Sequence, residues 1–411
     1  ATKRTNGRLK ELRLRHRLPF ISHLSAGSLT KMQQQRIYLH GLWLINIFFY
    51  CSCGSTDAQA AKEVIGLQQP TVEVIQQRNF ELLQEALPLG WKAFCEAPVD
   101  ESVMLLHSGI NPCDASIHVM TITNQSIQLP IKAISEVSDF DINPKRKTLV
   151  YVNAYYTPDS YFSVQSHLKL LQTTRRDLNI VVVDFARDVL QLYYTVRHHV
   201  AVQGHFVAKI LNVLMQKGVE PEDVTLAGHS VGANIAALAA NIYADQLTNS
   251  NVRVGQLVAI DPALMCSPAD IYVQANVSSR VIVIHGEGDV FGVREQRGTI
   301  DIYPNGIGFF TRRKLQPGCD TRSCSHMYSF VLFMEALIEG VMIPAVKCDS
   351  WSHFRKRQCD FSDALAIGLK YPKQSKGVYF CLTQPNPPFT FMEHGIKYQR
   401  SLASSAKTNL I

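Results

Sequence analysis

Ser230 stands in the pentapeptide Gly228-His229-Ser230-Val231-Gly232, between the apolar run 223–229 and the alanine-rich stretch 231–247. A serine hydroxyl attacks an ester only when a neighbouring base takes its proton and an acid orients that base. The G-x-S-x-G spacing supplies the geometry, a sharp strand-to-helix turn that exposes the hydroxyl. Gly228 and Gly232 keep side chains out of the turn. The pattern requires a strand before and a helix after, and 223–230 and 231–247 meet that test.

The partners of such a serine follow in the order acid, then histidine. Asp261 closes the apolar run 255–261 and precedes Pro262. A carboxylate at the end of a strand beside the serine's own strand is placed to orient a histidine; capping of the strand end is the plainer reading. Asp270 and Asp289 are competing acids, and neither closes an apolar run. His326 lies in "QPGCDTRSCSHMYSF", expected on a loop just before a helix that starts at Met327. A surface histidine or a helix cap are its plainer readings. His198, His199 and His205 share one helical segment, but no Cys or acid completes a ligand set, so no metal is expected. His285 reads as structural support.

The elements that must position these residues are legible as alternation. Apolar β-type runs occupy 116–123, 148–156, 179–186, 223–230, 255–261 and 280–286. Most are continuously apolar, as strands buried on both faces should be. Helical periodicity occupies 163–174, 199–218 and 231–247. The expected class is α/β, a mostly parallel central sheet with helices on both faces. No repeat or long linker divides the chain. We expect one catalytic domain over 61–391, a loop or late edge at 382–389, and a polar tail over 392–411.

The 411 residues are 46% hydrophobic and 18% charged, which suits a globular chain with a large core. The net charge of +7 sits in residues 1–31, where eight Lys/Arg meet one acid. The remainder is formally neutral, which excludes a basic face for nucleic acid on the body. Residues 1–31 read as an upstream segment or disordered arm outside the fold. A positive flank, the apolar run 37–50 and the small-residue triplet Ala58-Gln59-Ala60 describe a secretory signal over 32–60. A membrane anchor is the other reading, although the run would span only about 21 Å as a helix.

Behind such a signal, eight cysteines remain, an even count that suggests disulfides. Cys319/Cys324 and Cys348/Cys359 are close in sequence and expected to pair. Cys95, Cys113, Cys266 and Cys381 allow three connectivities. Sequons at Asn124 and Asn276 are candidate glycosylation sites.

"GHSVGA", "AIDPA", "IDIYPNG" and "QPGC…CSH", with "KTLVYVNAYY" and "VVVDF" ahead of them, together resemble the pancreatic-lipase family of secreted animal lipases, in its short-lid, single-domain, insect-type form. The likeness runs from about residue 100 to 390. It implies an α/β-hydrolase fold in which Ser230 is the nucleophile, Asp261 the orienting acid and His326 the general base. It also implies an oxyanion hole made by the backbone N–H groups of Val231 and Tyr155. Two features depart from the family. Its His-Gly pair reads Asn153-Ala154 here, and losing one oxyanion donor costs about 10²–10³ in turnover. The lid between the cysteines shrinks to Asp320–Ser323, too short for a covering helix. The loop 286–298 carries few apolar residues, so a largely open site is expected. The calcium loop of relatives is shortened, leaving Asp270, and no cofactor is expected.

The resulting expectation is a secreted ester hydrolase acting on lipids, triacylglycerol or phospholipid, with a lipid surface as its possible partner. A lipid-binding or storage protein on the same scaffold, as related yolk proteins are, is the alternative; Asn153-Ala154 favours it. An intracellular esterase would need the run 37–50 as core and would carry free thiols.

Overall fold

The computed structural model describes residues 116–120, 126–130, 133, 142–154, 170–171, 174–185, 193–247, 252–265, 271–288, 290–306 and 315–405, all within the unit Tyr50–Ile411. The segments 1–31 and 32–60, together with Cys95, Cys113, Asn124, Tyr155, Cys266 and Asp270, lie outside the described residues.

Eleven strands form one sheet in the order β10-β9-β11-β8-β7-β6-β5-β3-β4-β1-β2. The parallel block comprises β3 (Lys147–Asn153), β4 (Leu178–Asp184), β5 (Val224–His229), β6 (Gln256–Ile260), β7 (Val281–Ile284), β8 (Ile300–Pro304) and β11 (Gly377–Cys381). Antiparallel pairs finish both sides. β1 (Ser116–Met120) and β2 (Ser126–Pro130) extend from β4; β9 (Pro344–Lys347) and β10 (Asp360–Ala366) extend from β11. The β10–β9 register shifts between Asp360 and Ala364. The chain winds outward from β3 to β4 and then crosses to β5 on the other side of β3. That reversal opens a crevice at the carboxyl ends of β3 and β5, where open α/β sheets place their sites.

The alternation of strand side chains divides the core. Val150, Val152, Leu226, Leu257, Ala259 and Val283 face α1 (Tyr193–Gln216) and α2 (Val231–Gln246). Leu149, Tyr151, Ala227, Val258, Ile260 and Ile282 face α3 (Arg322–Glu335), which contributes Phe330, Leu332 and Phe333. Helices thus cover both faces, as an α/β-hydrolase requires.

Five strands were not visible as apolar runs. β8 is interrupted by the buried Asp301, whose carboxylate accepts from His285 Nε2 at 2.9 Å and from the N–H groups of Arg297 and Gly298. A satisfied buried acid is compatible with a central strand, but it breaks the pattern that announces one. β10 is mostly exposed, so it too lacks a continuous apolar run.

The expected polar tail is a correction. Residues 392–396 form a 3₁₀ turn and Arg400–Ser405 form α5, after the short α4 (Trp351–Arg355). Ile396, Tyr398, Leu402 and Ala403 pack on a third core of Trp351, Phe354, Phe380 and Tyr303. Arg357 Nε donates to Tyr398 O at 2.9 Å. The tail reads polar because its apolar residues are widely spaced, yet it supplies one wall of this core. Residues 382–389 are a loop, as expected.

Cys319–Cys324 and Cys348–Cys359 are disulfides, with Cα–Cα distances of 5.4 and 4.6 Å. Cys381 is a free, fully buried thiol in β11, contrary to the even-count expectation. Burial pushes its thiol up to about 12. An unfolded cysteine ionises near about 8.5. The contribution of the neutral thiol is therefore whole below that pH and is lost as pH rises toward 12.

Two outcomes follow. Ending the chain after Phe391 should cost about 2–4 kcal/mol from lost apolar burial, read as a lower urea midpoint than that of a chain ending at Ser405. At pH 8 a maleimide should leave Cys381 unmodified in native protein and modify it after unfolding, read by peptide mass spectrometry.

Candidate active site

β5 delivers Ser230 directly into α2, and the serine takes φ 57° and ψ −123°. A non-glycine residue in that region stores roughly 1–3 kcal/mol of strain. Its peptide groups hold it there. Ser230 N–H donates to Ile260 O at 2.9 Å, and Ser230 O accepts from Ala263 N–H at 3.1 Å. Those two bonds bracket Asp261, so the turn carrying the hydroxyl is tied to both flanks of the acid. The glycines are required by close approach: a Cβ on Gly232 would stand 2.4 Å from Val152 O, and one on Gly228 would stand 2.3 Å from Gly232 O. Val231 opens α2, and a first-turn N–H has no intrahelical acceptor.

Asp261 follows β6 with φ 37° and is fully buried. Its Oδ1 accepts the N–H of Gly286 at 2.8 Å. Its Oδ2 accepts the N–H of Glu287 at 2.9 Å and the Nδ1–H of His326 at 2.6 Å. With Nδ1 committed to a carboxylate, the imidazole offers Nε2 as an acceptor for a hydroxyl proton.

His326 was expected on a loop; it lies inside α3, whose first residue is Arg322. Thr321 caps the helix by accepting from Cys324 N–H at 3.1 Å, and the Cys319–Cys324 bond closes around that first turn. The cap and the disulfide start the helix four residues before His326. The short inter-cysteine segment is therefore a helix start.

His229 lies against His326, their ring centroids 4.4 Å apart. Its Nε2–H donates to His326 O at 3.0 Å. Burial first, and the adjacent His326 second, hold the His229 imidazole well below its ordinary range. It stays neutral and adds no charge beside His326. The 286–298 loop also reaches the site. The Phe291 ring centroid is 5.6 Å from that of His326, and Phe291 O accepts from Leu264 N–H at 2.7 Å. Asn234, one turn along α2 from Ser230, donates to Ala263 O and accepts from Tyr272 N–H.

Supports at His229, Asn234, Glu287 and Phe291 were missed as such by the sequence reading. The glycines at 286, 288 and 292, just after an apolar strand, were the available signal of a loop drawn close to something. A Cβ on Gly292 would stand 2.2 Å from Asp261 Oδ1.

At the end of β3, Asn153 Nδ2 donates to Asp184 Oδ1 at 2.9 Å and Asn153 O accepts from Phe185 N–H at 2.7 Å. Ala154 is buried, and Tyr155 is outside the described residues. His285 is structural, as expected. Nδ1 and Nε2 contact Val293 O and Asp301, and the ring stacks on Tyr303 at 3.9 Å. Asn276 is exposed in a turn. Among the described residues no group of three or more His, Cys, Asp or Glu is placed to hold a metal.

The sequence pattern described as Lipase matches residues 100–364. Lipase member H of Rattus norvegicus is 26% identical over 298 residues, covering 68% of this chain and 62% of that protein. Lipoprotein lipase of Rattus norvegicus is 28% identical over 313 residues, 66% and 62% of the two chains. Pancreatic lipase-related protein 2 of Bos taurus is 25% identical over 285 residues, 61% and 57%. The chain spans about three fifths of the length of these relatives.

Gly232→Ala should cost about 2–4 kcal/mol, because the methyl group can be housed only by moving the β3 backbone or the turn. Chemical denaturation would measure it, with Ala233→Ser in the same helix turn as a comparison.

Proposed function

Because the chain belongs to the Lipase family, we propose that it hydrolyses carboxylic esters of lipids through Ser230, His326 and Asp261. The observation that carries the reading is the 2.6 Å bond from His326 Nδ1 to a buried Asp261 whose flanks grip the Ser230 turn. In this reading Ser230 Oγ attacks the acyl carbonyl while His326 Nε2 takes its proton. Asp261 stabilises the imidazolium that results. The C–O bond to the alcohol then breaks, and His326 returns the proton to the leaving oxygen. Water, deprotonated by the same imidazole, releases the acid and restores the serine. Only the chain's own residues, the ester and water enter these steps.

Val231 N–H and Tyr155 N–H are proposed to hold the oxyanion. The Asn153–Asp184 bond supports this role for Tyr155, because it fixes the end of the strand that leads into it. Alanine at 154 is the feature that favours the second reading, a lipid-binding protein with little turnover. Two disulfides support an oxidising, extracellular setting. The exposed Asn276 fits a glycosylated surface. The start of α3 within the inter-cysteine segment leaves little chain there for a lid, which favours substrates reached without lid opening.

A fluorophosphonate probe should label the folded protein, and Ser230→Ala should abolish the label. Absence of labelling in the wild type would support the binding-protein reading. Asp261→Asn should keep the fold and lower kcat by about 10⁴-fold on a soluble ester. Matched phospholipid and triglyceride substrates, with Ser230→Ala as blank, would then fix the class. Steep activation at a triglyceride interface would contradict the short-lid argument.

A further inference from the structure

Two charged side chains outside the proposed triad join the elements that carry it. Glu287 lies in the loop after β7, and its N–H is one of the donors to Asp261. Its own carboxylate is turned away into that loop, where Oε2 accepts from Val290 N–H at 2.7 Å and Phe291 N–H at 2.9 Å. Those bonds fold the turn that sets the Phe291 ring beside His326. The other oxygen, Oε1, is ion-paired with Arg322 Nη1. Arg322 is the first residue of α3, four residues before His326, so the two share a helix face. The Glu287 side chain is 3% exposed and that of Arg322 36%. A carboxylate so buried is costly without its partner. The pair therefore fastens the loop that holds Asp261 to the helix turn that holds His326.

We propose that Glu287 and Arg322 are positioning residues for the proposed base, their ion pair locking the loop that holds Asp261 to the helix that carries His326. The inference rests on the reading of His326 as the base. The groups against the imidazole are Asp261 from the end of β6, neutral His229 from β5 and Phe291 from the loop; Arg322 stands one turn earlier on its own helix, with Glu287 paired to it. Removing one member of the pair changes the charge balance near the proposed base by one unit. Loss of the Arg322 charge favours the imidazolium, and loss of the Glu287 charge disfavours it.

The test is the pH dependence of kcat/KM on p-nitrophenyl butyrate. Arg322→Met should move the acidic limb to higher pH, and Glu287→Gln should move it to lower pH, each by about half a unit. Arg322→Lys, which keeps the charge, and the double variant E287Q/R322M should lie near the wild type. Single variants that move the limb in the same direction, or leave it in place, would overturn the proposal. A wild type that hydrolyses no ester would overturn the proposed function instead. The pair would then be read by ¹⁵N NMR titration of the His326 ring in the same variants. Opposite displacements would sustain it there, and parallel or absent ones would sink it.

Discussion

The carboxylate of Asp261 is the point to which the site is tied. A fully buried charge costs several kcal/mol unless it is paired and hydrogen-bonded. Here it is met by two backbone N–H groups and one imidazole N–H. The donors come from the loop after β7 and from α3, so satisfying one charge fixes two elements that are otherwise distant in sequence. Gly292 is drawn in so close that no side chain fits between it and the carboxylate. In surroundings of low dielectric each of these bonds is also stronger than it would be in water.

The strain in the site is supported by bonds of the same kind. Ser230 and Asp261 both have positive φ, and both lie just past strands at the middle of the sheet. Ile260 and Ala263 join them through the backbone, while Asn234 braces the segment beyond from α2. His229 completes the support by fixing the helix carbonyl at His326 while remaining neutral. A second charged imidazole there would oppose the protonation that the proposed mechanism needs from the first.

Much of this was legible in the sequence because the parallel strands next to Ser230 are buried on both faces and read as unbroken apolar runs. The Ser, Asp, His order was legible for the same reason, since each residue lies beside a recognisable element. What was not legible depends on partners remote in sequence. Asp301 looks like a break in a strand until His285 is seen beside it. His326 looks like a loop residue until Thr321 and the disulfide are seen to begin its helix early. Residues 392–405 look like a tail until Trp351 and Phe354 are seen to need a cover. Glu287 carries no local signal, because its carboxylate is met by an arginine on a helix and by two backbone N–H groups in its own loop.

The sheet's outer strand β10 has a consequence for the molecule among its own copies. A free edge presents unpaired N–H and C=O groups to any passing strand, and a long flat edge invites stacking into aggregates. β10 carries the exposed Asp360 among mostly exposed residues, and its register with β9 slips between Asp360 and Ala364. A strand approaching from solvent would find the ladder out of phase and would have to bring its backbone alongside an exposed carboxylate. Among the described residues this edge of the sheet is thereby shaped to stay an end, and it makes a poor template for a second sheet.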